Sequence, residues 1–216
     1  MKVLVVILAL TLGLAQVATV PASTGSEAAK PVLQATLAEL RRDPVAWRGK
    51  RVELTLQFDA PLATWRPWLT RFDERHYLGF SAWGDEQLLW LASEHASPST
   101  RLFARRGTDA ELYLRAAPTY RRFRVTCVLR NVFEVQAWIE VLAVEPLERA
   151  IGQGALVHAG RAVDLEAEGH DAAAAEQYER ALASPAPASM RAALEEALER
   201  ARSRSEGTPP EPAEGE

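Results

Sequence analysis

From residue 51 to residue 58 the side chains alternate without a break. Val52, Leu54, Leu56 and Phe58 fall on one face, and Arg51, Glu53, Thr55 and Gln57 on the other. Successive side chains of a strand point to opposite sides, so this run reads as a half-buried antiparallel strand, one face on a core and the other polar. Residues 121–130 repeat the pattern, with Phe123, Val125, Cys127 and Leu129 opposite Arg122, Arg124, Thr126 and Arg130. Cys127 is therefore expected inside, as a small apolar filler. Residues 133–145 predict a second long strand, joined to the first by a tight connection near Asn131.

Shorter strands are predicted between these runs. Tyr77, Phe80 and Trp83 open an apolar series that ends at the Gly84-Asp85 turn. Residues 88–92 are continuously apolar, as in a buried strand, and two more strands are expected around Leu102 and Phe103 and over 111–115. Leu33, Leu37 and Leu40 lie at helical spacing and predict a short helix in front, stopped at Asp43-Pro44. After Pro146 the composition shifts to Ala, Glu and Arg, which predicts helices.

The fold class that follows is α+β. A small antiparallel β-barrel with an N-terminal helix is expected over 33–148, a helical segment over 150–203, and a disordered acidic tail over 204–216. Ahead of them, residues 1–22 read as a cleavable signal peptide. A positive start at Lys2 precedes an uncharged apolar run from Val3 to Ala15 and small residues beyond it, and 23–32 form a linker. The run is short for a bilayer span. Export to the periplasm or beyond is the expectation, with no membrane span after cleavage and an uncleaved N-terminal anchor as the alternative. Cys127 is the single cysteine, so no internal disulfide is available.

Two resemblances attach to these segments. Asp43-Pro44, Trp47 and Gly49-Lys50-Arg51-Val52 followed by an alternating strand look like the start of OB-fold-like domains of exported bacterial proteins. The insert over 59–78 is longer and more aromatic than a minimal barrel needs. Residues 153–186 resemble one tetratricopeptide (TPR) repeat. Ala162 matches the small residue of its first helix, Gly169 the turn, Ala174 the small residue where the helices touch, Tyr178 the aromatic of the second helix, and Ala181 its closing position. His158 and Arg161 depart from the pattern, and 187–203 continue as a third helix. One repeat cannot bury its apolar face alone, so the hairpin must dock on the barrel, on a second copy or on a partner.

Charge and chemistry narrow the function. Residues 41–130 carry a balance of +6 and 131–216 one of −10, which is read as two partners of opposite charge, as attraction between the halves, or as two solvated faces. His76, His95, His158 and His170 are far apart and no zinc-type spacing exists, so no metal or other cofactor is expected. Neither a phosphate-cradling glycine loop nor a Gly-x-Ser-x-Gly elbow is present. The unusual concentration is aromatic and basic: Trp65, Trp68, Arg71, Phe72, Tyr77 and Trp83 are the candidate binding residues. Rings interleaved with arginines stack bases or sugars, or cap an apolar groove; the competing reading makes them barrel core. The expectation is a non-enzymatic binding or scaffold protein, with a protein partner or self-association through the helical hairpin. The alternative is an OB-type binder of polyanions, nucleic acid or acidic glycan, with nucleic acid disfavoured by export.

Overall fold

The computed structural model describes residues 31–65, 71–148 and 150–207. The signal peptide, most of the linker, Trp68 and residues 208–216 of the tail lie outside the described residues.

Leu33–Gln34 form β1, which pairs in parallel with β2, Arg51–Pro61. Between them, α1 (Leu37–Arg42) starts at a capping box. The Thr36 hydroxyl accepts from the Glu39 N–H (3.1 Å) and the Glu39 carboxylate from the Thr36 N–H (2.7 Å), so two orphan donors are satisfied at once. Asp43 ends α1 and its side chain caps α2 (Pro44–Trp47), where Pro44 sits at a first-turn position that needs no N–H.

The remaining strands are β3 (Tyr77–Gly84), β4 (Ser99–Arg105), β5 (Arg122–Phe133) and β6 (Gln136–Pro146). They close with β2 into a five-stranded barrel in the order β2-β3-β4-β6-β5, with β5 pairing back to β2. The chain is thus mixed α+β, consistent with an OB-like barrel. One seam departs from the antiparallel expectation: β4 and β6 run parallel, with Leu102, Phe103 and Ala104 opposite Ile139, Glu140 and Val141. The inward positions follow the alternation. Val52, Leu54, Leu56, Phe58, Phe80, Leu102, Phe123, Val125, Cys127 and Ile139 share one core, to which α1 adds Leu37 and Leu40. Burial pushes the Cys127 thiol far above its ordinary range, which leaves it unreactive.

Three local expectations are corrected. Residues 111–115 are not a strand but lie in α4, Asp109–Ala116, which Thr108 caps. Ala110 and Leu114, four apart, are the residues it buries in the barrel, while Leu112 is exposed. Residues 88–92 are a turn leading into α3, Ala92–His95. The β5–β6 connection falls at Glu134 and Val135, beyond Asn131, because Phe133 and Gln136 are already paired.

Glu134 and Val135 have φ of 48° and 60°. A two-residue hairpin with both residues left-handed favours Asn-Gly, and a β-branched residue there is strained. The double variant E134N/V135G should therefore gain about 0.5–1 kcal/mol, the relief of the left-handed penalty less the entropy of glycine. Urea denaturation checks this, through a raised midpoint at constant slope.

Glu111, 1 % exposed, faces Arg115 and Arg106. Burial pushes its carboxyl up, but the Arg115 hydrogen bond, the Gly107 N–H and the charges of Arg115 and Arg106 outweigh this and hold it below its ordinary value. A depressed carboxyl stabilises the fold above its unfolded pKa, and the contribution is lost as pH falls through the folded value. Thermal melts from pH 7 to pH 3 should thus show a steeper acid loss in the parent than in E111Q. At neutral pH, E111Q should cost about 1–3 kcal/mol.

Three helices follow: α5 (Gln153–Ala167), α6 (Asp171–Leu182) and α7 (Ala188–Gly207). The last runs on into the stretch expected to be disordered. Gly169, at φ 82°, closes α5. The His170 N–H bonds the Leu165 carbonyl (2.9 Å) and the Gly169 N–H the Glu166 carbonyl (3.1 Å), a Schellman ending. Ala162, Ala174, Tyr178 and Ala181 are buried, and the Tyr178 hydroxyl donates to Glu166 at 2.6 Å. This apolar face is closed within the chain. It shares one cluster with Trp83, Leu89 and Trp90 from the barrel side and with Met190 and Leu194 of α7. Among the described residues, no helix is long and apolar enough to cross a membrane.

Candidate functional site

A strand that lines a barrel turns every second residue outward. On β3 these are Tyr77 and Gly79, on β4 Arg101, Phe103 and Arg105, and on β6 Trp138 and Glu140. The pairing aligns them, with Gly79 opposite Phe103, Phe103 opposite Glu140, and Tyr77 opposite Arg105. The result is an aromatic cluster of Phe72, Tyr77, Phe103 and Trp138, separate from the barrel core, with Trp65 packed against it.

The insert after β2 supplies the cover. Trp65 lies flat enough on β3 that a Cβ on Gly79 would come within 2.9 Å of its ring, so only glycine fits there. Its indole N–H donates to the Phe72 carbonyl at 2.6 Å, and the Leu62 N–H bonds the Gly79 carbonyl at 2.9 Å. Phe72 stacks on Phe103 with centroids 4.4 Å apart and planes at 6°, and Phe103 stacks on Trp138 at 5.5 Å and 9°. Such offset stacks add about 0.5–1.5 kcal/mol beyond the area they bury.

Polar groups hold the rim. Glu140, outward but buried, accepts from Arg130 (2.5 Å) and from the Tyr77 hydroxyl (3.3 Å). Arg105 stands over the Tyr77 ring at 5.9 Å and Arg101 over the Trp138 ring at 5.7 Å, both cation–π distances. At the far end of the insert, Asp73, Glu74, Arg75 and His76 line an open depression of about 500 Å³. Asp73 sits below its ordinary pKa, chiefly through its hydrogen bond to the His76 ring at 2.9 Å.

The structure therefore joins Trp65, Phe72 and Tyr77 and leaves Arg71 exposed at the surface. Trp83 does not belong with them. It sits in the barrel–helix cluster, its ring 5.5 Å from that of Tyr120 and its N–H on the His95 carbonyl at 3.0 Å. Phe103, Trp138, Gly79, Arg101 and Arg105 were not among the candidate binding residues read from the sequence. The available signal was strand parity, since Phe103 alternates with Arg101 and Arg105, and Trp138 with Glu140.

Part of the basic middle segment is neutralised within the chain. Arg122 grips Asp85 at 2.6 and 2.8 Å, Arg124 meets Glu53 (3.2 Å) and Glu145 (3.1 Å), and Arg130 meets Glu140. Two of these partners, Glu140 and Glu145, come from the acidic half, so part of the charge asymmetry is internal attraction. Arg41 and Arg101 line one small cavity together. Burial holds Arg101 below its ordinary value, and the charge of Arg41 acts in the same direction, against the opposing pull of Glu134. No family model, no curated protein and no solved structure matches the chain.

Proposed function

We propose that the chain is a non-enzymatic binding protein, exported to the bacterial envelope, whose ligand face is the outer side of β3, β4 and β6. One observation carries this reading: the aromatic cluster on that side is distinct from the barrel core, so closing the barrel does not account for it. In OB-like barrels this side and the loops beside it are where oligosaccharides and oligonucleotides bind. Here the insert bearing Trp65 is the first of those loops, and the turn at Glu134 and Val135 is the second. Export rests on the apolar character of the first 22 residues.

The α5–α6 pair is read as a single TPR-like repeat with α7 behind it. Buried Ala162, Ala174 and Ala181, the left-handed Gly169 and the buried Tyr178 support the likeness. Its apolar face is spent on the barrel, so a partner or second copy would meet its outer side, where Val157 is exposed.

Intrinsic tryptophan fluorescence during titration with a neutral and an acidic hexasaccharide tests the ligand face. A saturating change is expected, with W65A and R105A weakening it at least tenfold and the melting temperature of R105A unchanged. No change with either probe, or variants that bind as the parent does, sinks the reading. The polyanion alternative is favoured by Arg41 and Arg101, which line one cavity. It requires affinity for the acidic probe that falls steeply with added salt.

A further inference from the structure

At one edge of the proposed ligand face, a cavity of about 130 Å³ is bounded by the last turn of α1, the start of β4 and the β5–β6 turn. Arg41, Ser99, Arg101, Val135 and Gln136 are among its walls. Arg41 and Arg101 converge on this cavity, and among the described residues neither is within ion-pair distance of a carboxylate. Two like charges facing one small space repel, and nothing in the barrel core demands that they converge. The carboxylate that acts on Arg101 is Glu134, on the turn beside the cavity.

A buried donor lies next to Arg101. The Trp138 ring lies beneath the Arg101 guanidinium at 5.7 Å, and its N–H is buried without an acceptor. A buried, unsatisfied donor in a folded protein calls for an explanation. The turn adds a second one: Val135, 74 % exposed, is held left-handed at the wall of the same cavity. A strained β-branched residue at a surface turn persists where the local geometry is under constraint.

We infer that Arg41 and Arg101, with Ser99 and Gln136, form a pocket for a tetrahedral oxyanion, the phosphate or sulfate group of a larger ligand that continues across the aromatic face. The volume equals that of about four water molecules, which suits one such group. A guanidinium fork satisfies two oxygens. One arginine therefore suffices for a carboxylate, whereas two match an anion with three or more acceptors. The Ser99 hydroxyl and the Gln136 amide are further donors at the wall. The inference rests on the barrel being the ligand-binding body and names the chemistry at its edge.

The test is calorimetric titration of the whole chain with inorganic phosphate, sulfate and acetate, using chloride at equal ionic strength as the reference. Phosphate and sulfate should bind and acetate should bind at least tenfold more weakly. R41Q and R101Q should each weaken phosphate at least tenfold, R101K less, and E134Q should tighten it. R42Q, which alters the neighbouring arginine, should bind as the parent does. Arg41 is exposed, so R41Q keeps the fold even if R101Q does not. Phosphate binding no tighter than chloride, acetate equal to phosphate, or R41Q binding as the parent does would each overturn the inference. Phosphate binding retained while hexasaccharide binding is absent would sink the aromatic face and leave the pocket standing.

Discussion

Replacing Trp83 by alanine is expected to cost about 3–5 kcal/mol, the range for deleting a fully buried aromatic, and to loosen the helices before the barrel. Trp83 is 2 % exposed although it points away from the barrel core. It joins Trp90, Leu89, Ile151, Ala155 and Tyr178 in one cluster, stacks on Tyr120 with planes at 15°, and satisfies the His95 carbonyl. The α5–α6 surface it meets is built largely from alanines, which let backbones approach but bury little area each. The large rings of the barrel side therefore supply much of the docking area, and removing one leaves a void that alanines cannot fill. Hydrogen exchange should show protection falling more in α5–α7 than in β2 and β5, while Leu54→Ala should lower both together. An even loss across the chain in Trp83→Ala would refute this division. Trp83→Phe should keep most of the packing and lose the hydrogen bond to His95, at a cost of about 1–2 kcal/mol.

Legibility in the sequence followed the range of the interaction that decided each element. β2, β5 and β6 could be read because their alternation is local and the burial obeys it, Cys127 included. Residues 111–115 alternate as well, Glu-Leu-Tyr-Leu-Arg, yet Thr108 caps them into a helix and it is Ala110 and Leu114 that reach the core. Over five residues a period of two cannot be told from a fragment of a period near 3.6. The apolar run at 88–92 owes its character to the helices it meets, since Leu89 and Trp90 belong to their cluster. Nothing near Glu134 and Val135 advertises a turn, because the residues that favour one are missing there. The parallel β4–β6 seam joins segments far apart in the chain, and no local pattern records it. At the candidate site, Trp65, Phe72 and Tyr77 were visible as neighbours in sequence. Trp83 was grouped with them for the same reason, but it packs beside Tyr120 and His95 on the helix side. Phe103 and Trp138 reach the cluster through strand pairing alone.

Phe103→Ala should also cost about 3–5 kcal/mol by ring size, with consequences confined to a different place. Phe103 is 0 % exposed, yet it lies on the outer face of β4, packed between the insert and Trp138 of β6. Its contacts are Phe72 at 4.4 Å, Trp138 at 5.5 Å and Trp65 at 5.6 Å. Two of those three partners belong to the insert, which is otherwise tied down by hydrogen bonds such as Arg106 to the Glu74 carbonyl (2.9 Å). Deleting the ring removes the platform on which Phe72 stacks while leaving Leu102 and Ala104 in the barrel core untouched. The insert should therefore open locally at a free energy below that of global unfolding. Trypsin reports this directly, because Arg71 and Arg75 flank Phe72: cleavage at these sites should accelerate at least tenfold in Phe103→Ala under native conditions. Phe80→Ala, which removes a ring from the barrel core itself, should instead destabilise the barrel throughout, so that cleavage at Arg71 and Arg75 rises only in step with global unfolding. If the two variants give the same cleavage at equal stability, the outer aromatic cluster is simply an extension of the core. The ligand face would then lose the separateness on which its assignment depends.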